Sequence, residues 1–267
     1  MLLIMEEALS QEKPVKKKPF NKVILQLIAA TAMLADHLTW ILFPGYSLHP
    51  AAIVLHIFGR LAFPIFAFFI AEGYHYTHDK KKYLIRLLIL SLISHVPYMM
   101  ASIVFQQYGW MSLIPFATGE GINRFLNQAS VLLSYAVGLL MLMVKDSTKL
   151  KQWTKVVIIL LLCVISFPCD WSCIGSLVVL SIGSNRGHPL KQIIWSYFWI
   201  IVYGSVYFFA LNKVYALIQL GTILVVPLLY LYNGQKSKNQ VVNKVMRYFF
   251  YIFYPLHLLI LGLINLL

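Results

Sequence analysis

The sequence predicts an all-α, polytopic integral membrane protein: a bundle of about nine transmembrane helices (eight to ten) with its N-terminus in the cytoplasm. Composition is the first support. Of the 267 residues 60% are hydrophobic and 12% charged, and the mean hydropathy is +0.76. A soluble domain carries about 25% charge and about 45–50% apolar residues, so the solvent for this surface is lipid. The second support is a succession of apolar runs near the length of a span. The third is the side-to-side alternation of the basic residues between those runs.

The apolar runs place helices at 22–43, 52–76, 84–105, 126–144, 155–168, 172–184, 190–210, 213–232 and 246–267. A span needs about 20 residues, with a range of about 17–25. The fifth and sixth are short, and Pro168 with the polar run Cys169-Asp170-Trp171-Ser172 separates them. They read as two tilted helices or as a re-entrant element. Prolines at 64, 97, 227 and 255 lie inside spans and predict kinks.

Basic residues set the orientation. Lys13, Lys16, Lys17, Lys18 and Lys22 precede the first helix, and Lys80, Lys81, Lys82 and Arg86 follow the second. The fourth, sixth and eighth loops continue the pattern, giving nineteen cations on one side against Arg124 and Lys213 on the other. The positive-inside rule assigns the rich side to the cytoplasm. Residues 1–20 then form a basic cytoplasmic tail, expected to be disordered, and 21–267 a single transmembrane domain. The tail has no apolar region of its own, so the first helix is itself the targeting signal. The expected location is the bacterial inner or plasma membrane, with the lipid bilayer as the first partner.

The same reading excludes several functions. A net charge of +13 would suggest nucleic acid in a soluble protein. Here the cations sit between apolar runs and lack interleaved aromatic residues, so no nucleic-acid partner is expected. No Walker loop, Rossmann fingerprint or HExxH pattern occurs, and the histidines are spread over separate helices, so no metal is expected. The cysteines, Cys163, Cys169 and Cys173, are too few for a disulfide framework. A bridge between Cys169 and Cys173 remains open.

Polar groups inside the apolar runs carry the functional signal, because a charge at mid-bilayer costs roughly 2.5–3.5 kcal/mol even on lenient scales. Asp36 and His37 lie about 10 Å below the outer end of the first helix at 1.5 Å per residue, and Arg60 lies about 12 Å below the same surface on the second. The matched depths predict an Asp36–Arg60 ion pair, with His56 one turn before Arg60 able to join it. Adjacent helical residues point about 100° apart, so Asp36 is expected to hold Arg60 rather than orient the His37 ring. His95 and His257 sit near mid-membrane, where a lone histidine is commonly an interhelical strut. Glu72 is expected to cap the second loop or pair with Lys80, Lys81 or Lys82. A structural salt bridge alone would also account for Asp36 and Arg60.

Several stretches together resemble the TraX family, whose founding member N-acetylates pilin. They are Leu27 through Ala35-Asp36-His37; Gly59-Arg60-Leu61-Ala62-Phe63-Pro64 through Ala71-Glu72-Gly73; Tyr83 through Ser94-His95-Val96-Pro97-Tyr98; Leu126-Asn127; Asp170-Trp171; and Tyr254-Pro255-Leu256-His257-Leu258. The family is similar in turn to membrane acyltransferases that modify extracytoplasmic glycans. The resemblance implies catalysis by His37 supported by Asp36 and Arg60, with substrate-side roles for His257, Asp170, Asn127, His95 and Glu72. The implied reaction moves acetyl from cytosolic acetyl-CoA to an extracytoplasmic acceptor, a peptide N-terminus or a glycan. Lys80, Lys81 and Lys82 are the expected contacts of the CoA phosphates. The alternative is a proton-coupled transporter or flippase using an Asp/His/Arg relay.

Overall fold

The computed structural model describes residues 18–102, 105, 109–110 and 129–265. Among them the chain is a helical bundle: α1 (Lys22–Leu42), α2 (Pro50–Gly59), α3 (Ala62–Tyr76), α4 (Lys80–Met100), α5 (Val131–Lys145), α6 (Gln152–Ser166), α7 (Ser172–Ser184), α8 (Pro189–Ala210), α9 (Lys213–Gln219), α10 (Val225–Tyr230) and α11 (Gln240–Ile264). All nine predicted segments reappear as helical segments among the described residues. Six are long and apolar enough to cross a membrane: α1, α2 with α3, α4, α8, α9 through α10, and α11. The helices α5, α6 and α7 are shorter, at 15, 15 and 13 residues. At 1.5 Å per residue they reach about 20–22 Å, less than the roughly 30 Å of a hydrocarbon core.

Two predicted spans are broken, and proline explains both. Pro64 has no N–H to offer the Arg60 carbonyl. The chain instead turns tightly, with Leu61 N–H donating to Phe58 O at 3.1 Å, and restarts as α3. The break puts Arg60 at a helix end inside the bundle. Pro227 likewise cannot donate to the Ile223 carbonyl, and Leu220–Leu224 tightens into a 3₁₀ helix between α9 and α10.

Side-chain caps set several starts. Asn21 accepts from Ile24 N–H at 3.0 Å, and Asp79 from Lys82 N–H at 2.9 Å. Asn239 accepts from Val241 and Val242, which starts α11 six residues earlier than the apolar run suggests. Just before α1, Phe20 N–H donates to Leu231 O, and Asn233 N–H to Phe20 O. The end of the basic segment is thus tied to the bundle. Residues 1–17 lie outside the described residues.

α11, α4, α5, α7, α3 and α1 pack in sequence and close a ring, with α6 and α8 outside it. Small residues permit the close approaches. A Cβ on Gly138 of α5 would lie 2.8 Å from the Ser176 carbonyl oxygen of α7. One end of the bundle, the basic end, gathers Lys22, Glu72, Lys80, Asp146 and Arg186. At the opposite end Ala129 N–H donates to Pro168 O and Asp170 N–H to Ala129 O at 2.7 Å, which fixes the α6–α7 turn against the start of α5. The three cysteines are free thiols, so the Cys169–Cys173 bridge left open by the sequence is not formed.

Candidate functional site

Arg60 is the centre of a buried polar cluster. Its Nη2 donates to both Asp36 oxygens, at 2.6 and 2.5 Å, and its Nη1 donates to Gln219 Oε1 at 3.1 Å. The guanidinium also lies over the Trp171 ring, 5.5 Å from its centroid. His56 completes the cluster, with Nδ1 at 2.8 Å from Asp36 Oδ1. Such a charge is stable in a low-dielectric interior only when paired and hydrogen-bonded, and Arg60 satisfies both conditions. Gly59 makes the approach possible: a Cβ there would sit 2.5 Å from the Asp36 Cβ.

His37 points elsewhere, as helical geometry requires of the residue after Asp36. Its Nδ1 is 3.3 Å from His257 Nε2, with the two rings nearly parallel. His257 Nδ1 in turn meets the Phe253 carbonyl at 2.8 Å. A carbonyl only accepts, so His257 carries its proton on Nδ1 and presents Nε2 as an acceptor. His37 must then donate from Nδ1, which leaves the lone pair of its Nε2 free. The first and last helices thereby fix one tautomer of His37.

Trp171 braces the cluster. It has a left-handed backbone (φ 63°), a conformation a bulky residue rarely adopts. Its ring stacks on Phe63 at 3.9 Å and on Tyr203 at 5.0 Å.

Two cavities meet at this point. The larger, about 430 Å³, runs from the basic end through the helix ring. Lys22, Arg86, Lys236 and Arg247 line its mouth, Phe66, Phe69, Phe250 and Tyr251 its walls, and Asp36, His37 and Arg60 its inner end. The smaller, about 210 Å³, is lined by the same three residues together with Trp40, His56, Tyr98, Asp170, Tyr203, Tyr207, Tyr215 and Gln219. Asp36, His37 and Arg60 therefore face both cavities.

The residues expected from the sequence divide accordingly. Asp36, His37 and Arg60 come together, His257 touches His37, and Asp170 lines the smaller cavity. His95 is half-buried and lines neither cavity; Tyr98, one turn on, lines the smaller. Glu72 lines neither, and its partner is Arg186 at 3.3 Å rather than Lys80, Lys81 or Lys82. Those lysines also lie away from both cavities. Lys80 sits over the Tyr74 ring at 4.0 Å, Lys82 pairs with Asp79 at 3.3 Å, and Lys81 is exposed. The cations at the cavity mouth are Lys22, Arg86, Lys236 and Arg247 instead, because the mouth opens between the starts of α1, α4 and α11. Asn127 lies outside the described residues. Sequence reasoning missed Gln219, although a lone amide in an apolar span is a signal of the same kind as Arg60. Among the described residues no three His, Cys, Asp or Glu side chains gather to hold a metal.

Comparison with known proteins bears on the whole chain. The profile of the family described as TraX protein matches residues 21–265. The chain is also similar to a protein of Dichelobacter nodosus named probable fimbrial assembly protein FimC, serogroup H1. The two are 26% identical over 247 residues, which is 91% of this chain and 94% of that one. No solved structure matches. The helical bundle, its membrane-length apolar segments and the match across nearly all of its length agree: this chain is a multi-pass membrane protein that belongs to the TraX family.

Proposed function

We propose that the protein is an acyltransferase of the bacterial cell membrane, moving acetyl from cytosolic acetyl-CoA to an acceptor on the other face. One observation carries this reading: two cavities, one reaching in from the basic end, share Asp36, His37 and Arg60. Such a junction lets a donor and an acceptor confined to opposite sides react without either crossing. Arg60, tied to Asp36, to Gln219 and to the His56 carbonyl, occupies the junction. A fixed group there suits chemistry better than passage of a cargo.

The larger cavity suits the donor. Its four mouth cations match phosphates, and by the positive-inside rule that end is cytoplasmic. Lys22 and His37 are fifteen residues apart on α1, about 22 Å. A pantetheine arm has about fourteen bonds between phosphorus and the acyl carbon, which reach roughly 16 Å at the rise of an extended chain. The lysine and imidazole side chains span the remainder.

In the reaction, His37 Nε2 takes the proton of the acceptor's amine or hydroxyl as that atom attacks the acyl carbon. His257 holds the ring and accepts from its Nδ1–H while the imidazolium exists. Arg60 stabilises the oxyanion of the tetrahedral intermediate. The carbon–sulfur bond then breaks, and the proton passes from His37 to the departing thiolate. Asp36 keeps Arg60 in place. The Dichelobacter relative is named for fimbrial assembly, which favours a protein acceptor over a glycan.

The test uses purified protein in nanodiscs with radiolabelled acetyl-CoA and membrane extract as acceptor. Wild type is expected to transfer label saturably, and folded His37→Ala to lose about 10²-fold or more of the rate. Absence of acetyl-CoA binding and turnover in wild type would overturn the reading and bring the transporter forward.

A further inference from the structure

A second histidine borders the smaller cavity. His56 is 1% exposed, and its Nδ1 is 2.8 Å from Asp36 Oδ1. Arg60, always charged, donates to both Asp36 oxygens, so Asp36 is an ionised carboxylate that only accepts. The proton between the two groups therefore belongs to His56 Nδ1. Arg60 already matches the charge of Asp36, so a neutral ring leaves no unpaired buried charge here, and its Nε2 then carries a lone pair. That Nε2 is buried and has no hydrogen-bond partner. Few buried polar atoms in a folded protein lack one, because the lost hydration is not recovered. The packing around it offers no replacement. The Trp40 ring lies 4.6 Å from the His56 ring and the Tyr215 ring 5.3 Å, and the Tyr215 hydroxyl already donates to Ser47 O. A strut for Asp36 would account for Nδ1 but not for the idle Nε2. The wall that His56 forms belongs to the cavity shared with His37.

We infer that His56 Nε2 is a docking point for the acceptor, reached when the side chains packed over it shift as the acceptor enters, and accepting a hydrogen bond from a polar hydrogen the acceptor keeps while His37 Nε2 takes the one it loses. This rests on the acyltransferase reading. It defines the acceptor group as one with two polar hydrogens on the same or neighbouring atoms, such as a primary amine or a pair of vicinal hydroxyls. His56 is then a determinant of acceptor binding, separate from the acid–base step.

His56→Asn tests this, because its amide nitrogen can replace Nδ1 as donor to Asp36 while nothing replaces Nε2. The acceptor probes are a short synthetic peptide with a free α-amine and a methyl glycoside with vicinal hydroxyls, each with acetyl-CoA. For the probe that is acetylated, the variant is expected to raise the acceptor KM about tenfold. Its kcat and the KM for acetyl-CoA stay within about twofold. Should the variant not fold, cryo-electron microscopy of wild type with CoA and that probe is expected to place a probe nitrogen or oxygen within hydrogen-bond distance of Nε2. An unchanged acceptor KM, a fall in kcat alone, or a bound probe that leaves Nε2 idle overturns the inference and leaves the acyltransferase standing. Acetyl-CoA binding with neither probe acetylated overturns the two-donor acceptor. Absence of acetyl-CoA binding overturns the underlying reaction as well.

Discussion

Two arginine–carboxylate pairs join distant parts of this chain, and they are built differently. Arg60 reaches both oxygens of Asp36, with side chains 10% and 14% exposed, and adds Gln219 and His56 to the network. Arg186 makes one 3.3 Å contact with Glu72, with side chains 39% and 20% exposed, at the basic end. An ion pair near water gains little, because solvent competes for both partners. A buried pair is weakly stabilising as a whole, yet removing one member strands the other in a medium that cannot solvate it. The inner pair is thus the one whose geometry the surrounding structure must maintain, and it stands where both cavities end.

The largest effect follows from breaking the inner pair. Asp36→Ala or Arg60→Ala is expected to cost about 3–5 kcal/mol of stability, read as a fall in the denaturation midpoint of the purified protein in detergent. The double variant Asp36→Leu with Arg60→Leu is expected to recover much of that loss, since no lone charge remains. A single-variant cost no greater than that of a surface pair would show that water reaches the cluster freely. A middle-sized effect is expected from Gly59→Ala, which leaves every charge in place. Its Cβ would have to displace Asp36, an overpacking cost of about 1–3 kcal/mol. Acetyl transfer is expected to fall with it, because Arg60 loses its fixed partner; full activity would show that the close Asp36–Arg60 contact is dispensable. The smallest effect is reserved for the surface pair. Arg186→Ala is expected to change stability by at most about 1 kcal/mol, and a larger loss would mean that the Tyr76 ring beneath the guanidinium or the α3–α7 contact matters more than the charge.

Much of the deep pair is legible in the sequence. Helical rise alone put Asp36 and Arg60 at one depth, and the cost of a charge in lipid required a partner. The cations were less legible. Three consecutive lysines at 80–82 look like the stronger phosphate site, yet the turn before α4 folds Lys80 over Tyr74 and pairs Lys82 with Asp79. The mouth cations come one or two at a time from segments far apart in the chain, and no run of charge announces them. His257, 220 positions from His37, reads from the residues alone as a lone intramembrane histidine, and packing sets its ring against that of His37.

The sequence by itself determined the apolar solvent, the order of the helical segments, the breaks near Pro64 and Pro227 and the need to partner Arg60. These depend on composition, periodicity and short-range backbone chemistry, which act within about one span. Tertiary structure alone decided which cations flank a cavity, that Gln219 and Trp171 join Arg60, which tautomer His37 holds, and that two cavities share three residues. Those are relations between helices. Their physical cause is the meeting of side chains from α1, α2, α9 and α11 at one depth, and no local pattern along the chain encodes which faces will meet.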